Sequence, residues 1–284
     1  MKLLSPNLPP NTVPAKKLKA LVFDWAGTTV DFGSLAPVRT IEQVFTGFGI
    51  SLSEKEIRRD MGLGKKDHIA GILSMPRVRD AWQTLFGQFP RPQDLEDIYR
   101  RFVPLQLSML ENYSALIPGV VSSVERFRRR GLKIGSTTGY TRAMLELLVK
   151  NSAKAGYRPD ASVSPEDVRS ARPAPFMVYE NAIRLQVSPL ASIAKIGDTP
   201  ADIHEGLNAG VWSIGVAATG NGIGLSLAEF EALPSDARQT RVMQARAELQ
   251  RAGAHYVVDT VAELDSVLDD IDRRLKSAHR ALAK

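Results

Sequence analysis

Asp24 closes a short apolar run, Leu18-Lys19-Ala20-Leu21-Val22-Phe23, and Asp198 follows Gly197 just past another, Ile193 to Ile196. Each run reads as a buried strand with a carboxylate at its C-terminal tip. Two such carboxylates, brought together, can hold a hard cation that prefers a few carboxylate oxygens plus water and phosphate oxygens. A lone aspartate after a strand also serves as a turn former or helix cap, so the pair takes its meaning from its company. That company is Asp24-Trp25-Ala26-Gly27-Thr28-Thr29-Val30-Asp31 after the first run and Ser136-Thr137-Thr138-Gly139 after a later one. Arg172-Pro173-Ala174-Pro175 comes next, then Gly197-Asp198-Thr199-Pro200-Ala201-Asp202.

The elements that must position these residues alternate. A helix over 120–130 precedes a strand over 132–136, and a helix over 141–153 follows. The strand over 193–196 leads to a helix over 200–208 and a strand over 211–216. A further strand lies at 255–258, and Val261, Leu264, Leu268 and Ile271 mark the apolar face of the last helix. Strands alternating with helices imply a doubly wound α/β core with a parallel sheet, and such sheets bind ligands beyond the carboxyl ends of their strands. Asp24, Thr138 and Asp198 all fall at or just past such ends. From Pro37 to about Tyr113 the pattern is helical throughout, with Ile41, Val44, Phe45 and Phe48 at spacings of three and four and a capping box at Ser53 and Glu56. The expected division is a Pro-rich tail over 1–17, an α/β core over 18–34 and 114–284, and a helical insertion over 35–113. Gly220, Gly222 and Gly224 read as a flexible loop, because their spacing does not fit a dinucleotide fingerprint.

Composition narrows the chemistry. Of 284 residues, 44% are hydrophobic and 24% charged, the balance of an ordinary globular protein. Without cysteine there is no disulfide, thiolate metal site or cysteine nucleophile, and with four histidines oxygen ligands are favoured for any metal. A net charge of +6 suits an anionic small molecule. Nucleic acid is disfavoured because the basic residues are scattered without aromatic interleaving, and the densest run, Arg126 with Arg128, Arg129 and Arg130, reads as a solvated helix end. No apolar run approaches the roughly 20 residues that cross a bilayer, and no stretch near the start suits a signal peptide. A cytoplasmic protein with no membrane partner is expected.

The four segments, in their order, resemble the haloacid dehalogenase superfamily over about residues 19–274. Within it, the stretch from Phe23 to Asp31 together with Met61-Gly62-Leu63-Gly64-Lys65-Lys66-Asp67-His68 is similar to the phosphonoacetaldehyde hydrolase (phosphonatase) family. The resemblance implies a Rossmann-like core with a helical cap, Mg²⁺ as cofactor, a homodimer, and hydrolysis of phosphonoacetaldehyde to acetaldehyde and phosphate in the degradation of 2-aminoethylphosphonate. Asp24 would be the nucleophile and, with Asp198 and the backbone carbonyl of Ala26, would hold the metal. Asp202 would support it through water or Thr199.

Phosphatases of this superfamily usually carry a second aspartate where Ala26 stands, to protonate a leaving oxygen. A carbon leaving group needs no acid there if something else absorbs its electrons. Lys65, at the family's imine position, can do so by condensing with the aldehyde and letting the cleaved carbon depart as an enamine. Lys66 is its rival by proximity. His68, one helical turn on, could shuttle protons. Thr138 and Arg172 would bind phosphoryl oxygens, with Arg169 a nearby competitor for the latter role. Gly62 would admit close backbone approach, and Tyr140 and Trp25 could line the pocket. The alternatives are a phosphate-ester hydrolase or sugar-phosphate mutase of the same fold, a metal-free 2-haloacid dehalogenase, and a catalytically silent binding module.

Overall fold

The computed structural model describes residues 15–282, so all but the last three residues of the Pro-rich tail lie outside it. Among the described residues are twelve α-helices and one six-stranded sheet in the order β3-β2-β1-β4-β5-β6. The strands are β1 (Ala20–Phe23), β2 (Lys133–Thr137), β3 (Ala161–Val163), β4 (Ile193–Gly197), β5 (Trp212–Val216) and β6 (Tyr256–Val258). Every pairing is parallel. β1, β4 and β5 are buried along their whole length, as expected of strands covered on both faces by helices.

The register explains why residues distant in sequence meet. Phe23 pairs with Ser136 on one side and with Ile196 on the other. Asp24, Thr137 and Gly197 therefore leave the sheet at one level, with Asp198 and Thr138 one residue beyond.

Between β1 and β2 run α1 (Leu35–Thr46), α2 (Glu54–Arg58), α3 (Lys65–Ser74), α4 (Pro76–Phe86) and α5 (Pro92–Asn112), with no strand among them. The Ser53–Glu56 capping box forms as expected. α1 begins at Leu35, two residues before the expected start, because the Asp31 carboxylate accepts from the backbone N–H groups of Leu35 and Ala36 at 3.1 and 3.0 Å. After α6 (Val120–Arg129) come α7 (Arg142–Lys154), α8 (Phe176–Arg184), α9 (Pro200–Asn208), α10 (Leu227–Ala232), α11 (Ser235–Arg251) and α12 (Leu264–Leu282). No helix among the described residues is long and apolar enough to cross a membrane.

Two expectations need correction. The arginines closing α6 are not simply solvated: Arg126 and Arg130 pair with Asp265 on α12, Arg130 also with Asp269, and Arg128 with Asp160. The run is a charged seam that seats one helix against another. The glycine loop after β5 is not free either. Residues 217–221 are buried, and a side chain at Gly220 would collide with Asp198, or at Gly222 with Ala245. Glycine is used there for close approach rather than for freedom.

Candidate active site

The carboxylates of Asp24, Asp198 and Asp202 come within 4.8 Å of one another, all buried. Asp202 is neutralised in place. Its Oδ1 accepts from Lys195 Nζ at 2.6 Å and lies 3.0 Å from Arg172 Nη1, while Oδ2 accepts from Thr199 Oγ1 at 2.6 Å. Burial works to raise its pKa, yet Arg172 and Lys195 hold it below the usual carboxylate range. Thr199 caps α9 and closes a capping box with Asp202, so the two residues expected to support the metal sit together at the start of that helix.

Asp198 has different partners. Its Oδ1 accepts from Thr28 Oγ1 at 2.9 Å and its Oδ2 from Asn221 N at 2.7 Å, both uncharged donors. Burial first, then Asp24 and Asp202, push its pKa well upward. Asp24 is likewise raised to about 6, by burial and then Asp202, against the pull of Arg172 and Lys195. The buried carboxylates of Asp24, Asp198, Asp202 and Glu205 lie beside the buried cations Arg172 and Lys195, with Lys65 across the cavity. Arg172 and Lys195 pair with Asp24, Asp202 and Glu205, while Asp198 is held by uncharged donors alone. An all-oxygen donor set of carboxylates beside the Ala26 backbone suits a hard cation, so the cluster fits a divalent metal between Asp24 and Asp198.

Arg172 is engaged through all three of its nitrogens. Nη2 donates to Asp24 Oδ1 and to Thr137 Oγ1, each at 2.7 Å; Nε donates to Glu205 Oε2 at 2.9 Å; Nη1 donates to Gly62 O at 3.3 Å. Thr137 Oγ1 in turn donates a hydrogen bond to Glu205 Oε2 at 2.9 Å. The guanidinium is therefore aimed at Asp24 by a planar fork that a lysine could not reproduce. Arg169, its sequence neighbour, is exposed. Thr138 Oγ1 accepts from Tyr140 N at 3.1 Å, which leaves its hydroxyl proton to point at a ligand.

The helical segment closes over these groups. Lys65 is the first residue of α3 and is buried, with Nζ 4.7 Å from the centre of the Tyr140 ring. Burial chiefly, with Arg172 assisting against the attraction of Asp24, pushes its pKa down to about 8. The positive end of the α3 dipole acts in the same direction. Lys66 is half-exposed and pairs with Glu96, outside the site. It is not the cation that depresses Lys65; Arg172 is.

Asp24, Ala26, Gly62, Lys65, Thr138, Tyr140, Arg172 and Thr199 line one cavity of about 20 Å³, on the order of what one ordered water needs. The two sides approach closely there: a side chain at Gly139 would strike the backbone at Leu63 O, and one at Gly62 would strike the side chain of Thr199. Two expected residues lie behind the wall. Trp25 is core, edge-on to Tyr157. His68 is buried with Nε2 2.7 Å from Ile57 O; since a carbonyl only accepts, Nε2 carries the proton and Nδ1 has no partner among the described residues. Burial and then Lys65 push its pKa down to about 3, so the ring is neutral.

Lys195 and Glu205 escaped the sequence reading, although a lysine inside a strand buried on both faces demands buried counter-charges, and Glu205 follows Asp202 at the i,i+3 spacing that puts both on one helix face. Asn221 was hidden in the glycine loop.

Against known proteins, a family model described as haloacid dehalogenase-like hydrolase matches residues 18–210. The phosphonoacetaldehyde hydrolase of Syntrophobacter fumaroxidans is 44% identical over 90% of this chain and 92% of its own length. The bifunctional phosphonoacetaldehyde hydrolase/aminoethylphosphonate transaminase of Clostridioides difficile is 42% identical over 90% of this chain and 40% of its own. The crystal structure of a phosphonoacetaldehyde hydrolase-like protein from Oleispira antarctica superposes with a TM-score of 0.92 at 38% identity, covering 95% of this chain and 98% of that one.

Proposed function

The chain belongs to the haloacid dehalogenase-like hydrolase family, and from that premise we propose that it cleaves the carbon–phosphorus bond of phosphonoacetaldehyde, with water, to acetaldehyde and phosphate. One observation carries this choice over a phosphate-ester hydrolase: a buried lysine with its pKa lowered to about 8 lines the same cavity as Asp24. Ester hydrolysis has no use for such an amine, and it would use an acid at the position of Ala26.

Lys65, as the neutral amine, adds to the aldehyde carbon and loses water to give an iminium. Asp24 then attacks phosphorus while the electrons of the C–P bond move into the enamine. Arg172 and Thr138 orient the phosphoryl oxygens, and a phosphoryl oxygen takes over the Nη2 donor that Asp24 now accepts. Mg²⁺, held by Asp24, Asp198 and the Ala26 carbonyl, would supply positive charge to the phosphoryl group. The enamine is protonated at carbon, water releases acetaldehyde from Lys65, and a second water cleaves the aspartyl phosphate. Because Lys65 lies on the helical segment and Asp24 at the end of β1, seating of that segment on the sheet would assemble the site in each cycle.

The Clostridioides difficile relative joins this activity to an aminoethylphosphonate transaminase, which supports a place for this chain after transamination of 2-aminoethylphosphonate. Leu85, Phe86 and Phe89, all over 40% exposed at the end of α4, suit the proposed homodimer.

The decisive experiment is borohydride trapping. Incubation with phosphonoacetaldehyde or acetaldehyde followed by borohydride should fix a two-carbon group on Lys65, with activity lost in step. Lys65→Arg should keep the fold and lose both labelling and phosphate release. Labelling on Lys66, or an active Lys65→Arg, would return the protein to the phosphate-ester hydrolases.

A further inference from the structure

The loop after β5 touches four parts of the molecule within three residues. Thr219 Oγ1 donates to Gly27 O at 2.7 Å, beside the metal-holding turn, and Thr219 O accepts from Gly33 N at 2.8 Å, in the link that leads into α1. The Asn221 N–H donates to Asp198 Oδ2 at 2.7 Å. The rest of Asn221 is taken up by Arg58, the last residue of α2. Arg58 Nη1 donates to Asn221 Oδ1 at 2.9 Å, to Asn221 O at 3.3 Å and to Gly33 O at 3.0 Å, and Asn221 Nδ2 donates back to Arg58 O at 3.3 Å. Glu54 holds the other edge of the guanidinium through Nε at 2.7 Å. Side chains at Gly220 or Gly33 would collide with Asp198 or with Leu225, so the loop has no slack on either side.

We propose that Arg58 is a positioning residue which, through Asn221, ties the seating of the helical segment to the orientation of Asp198. The proposal rests on the assignment of Asp198 as a metal-holding carboxylate. That carboxylate takes its direction from two donors, the Thr28 hydroxyl and the Asn221 N–H, and groups behind a metal ligand set both its aim and its affinity. When the helical segment is seated, Arg58 clamps Asn221 and Asp198 is held in place. When the segment lifts, Arg58 leaves with α2 and Asn221 loses its side-chain partners. Metal therefore binds best when Lys65 is already in the cavity, and by reciprocity bound metal favours the seated state. Substrate is then offered the nucleophile, the charge and the amine together.

The test uses Mg²⁺ alone, titrated calorimetrically into the purified full chain without substrate. Arg58→Ala, Arg58→Lys and Asn221→Ala should each weaken Mg²⁺ binding by about fivefold or more, within the usual range of coupling between sites. The double variant Arg58→Ala/Asn221→Ala should be no weaker than the weaker single, since both act through one contact. A purely electrostatic effect has the opposite sign: removing a cation near Asp198 would tighten Mg²⁺ binding, and Arg58→Lys would match the parent. Tighter or unchanged binding in Arg58→Ala, a parent-like Arg58→Lys, or strictly additive losses overturns the proposal. Asn221→Ala carries the test if an Arg58 variant does not fold. Asp198→Asn is the reference: parent-like binding there overturns the metal assignment itself, whereas lost binding there with parent-like Arg58 and Asn221 variants overturns only the coupling.

Discussion

On the sheet side of the cavity, Arg172 is gripped by Asp24, Asp202 and Glu205, and Lys195 by Asp202 and Glu205. On the helical side, Lys65 faces the ring of Tyr140 and His68 has lost its charge to burial. Both sides are equally dry, yet they use dryness in opposite ways. Beneath, buried charges are matched by counter-charges, so donors and carboxylates stay fixed and strong where the proposed reaction would receive a phosphoryl group. Above, burial outweighs the attraction of Asp24, so Lys65 holds its proton less tightly, as the proposed attack on an aldehyde requires. A cavity with two chemistries is built from one solvent condition and two patterns of pairing.

The contrast breaks most severely at Asp24. Asp24→Asn keeps the side-chain size and removes the attacking oxygen, and phosphate release should fall by about four to six orders of magnitude, the scale of losing a covalent nucleophile. Imine trapping on Lys65 should survive in that variant, because the upper wall is intact. Near-parental turnover in Asp24→Asn would exclude it as nucleophile.

A milder break lies at Glu205. Glu205→Gln keeps the volume but removes the charge that holds Arg172 Nε and Thr137 Oγ1. A loss of about a hundredfold in kcat/KM is expected, the usual scale for misplacing an oriented group, with acetaldehyde trapping again unchanged. Equal losses in both assays would show that the two walls are not independent.

The smallest effect is in pH. Only the neutral amine condenses, so trapping should rise with pH as Lys65 loses its proton around 8. From pH 7 to 9 the neutral fraction grows about tenfold. A midpoint in the ordinary lysine range would contradict the desolvation of Lys65.

How far the site was legible follows the same division. Asp24 and Asp198 announce themselves, because a carboxylate ending a buried apolar run is a local pattern and parallel register brings such ends together. The helical stretch before β2 was legible from its three-and-four spacing. Nothing local marks Lys65; a lysine opening a helix is ordinarily solvated, and only its family resemblance singled it out. Its burial is made by Tyr140 and Arg172, more than seventy residues away. β3 went unread because Ala161–Val163 is too short to show a period. α11 is polar on nearly every face, with only Ala245 and Leu249 buried, and so carries no stripe. The glycine loop misled because the same residue serves both slackness and close contact, and sequence does not distinguish them.

The bare backbone at Gly139 gives the molecule a mechanical tolerance set by a single methyl group. With Leu63 O pressed against it, alanine at that position would act as a wedge, propping the halves apart by on the order of an ångström. Every acid, base, amine and cation would remain in the chain, and none would have been altered chemically. What would change is the seal. Water would share the chamber, Lys65 would recover its hydration and with it its proton, and the fixed charges beneath would be screened. A molecule with all its tools and a leaking door would show how much of its power resides in closure rather than in the tools.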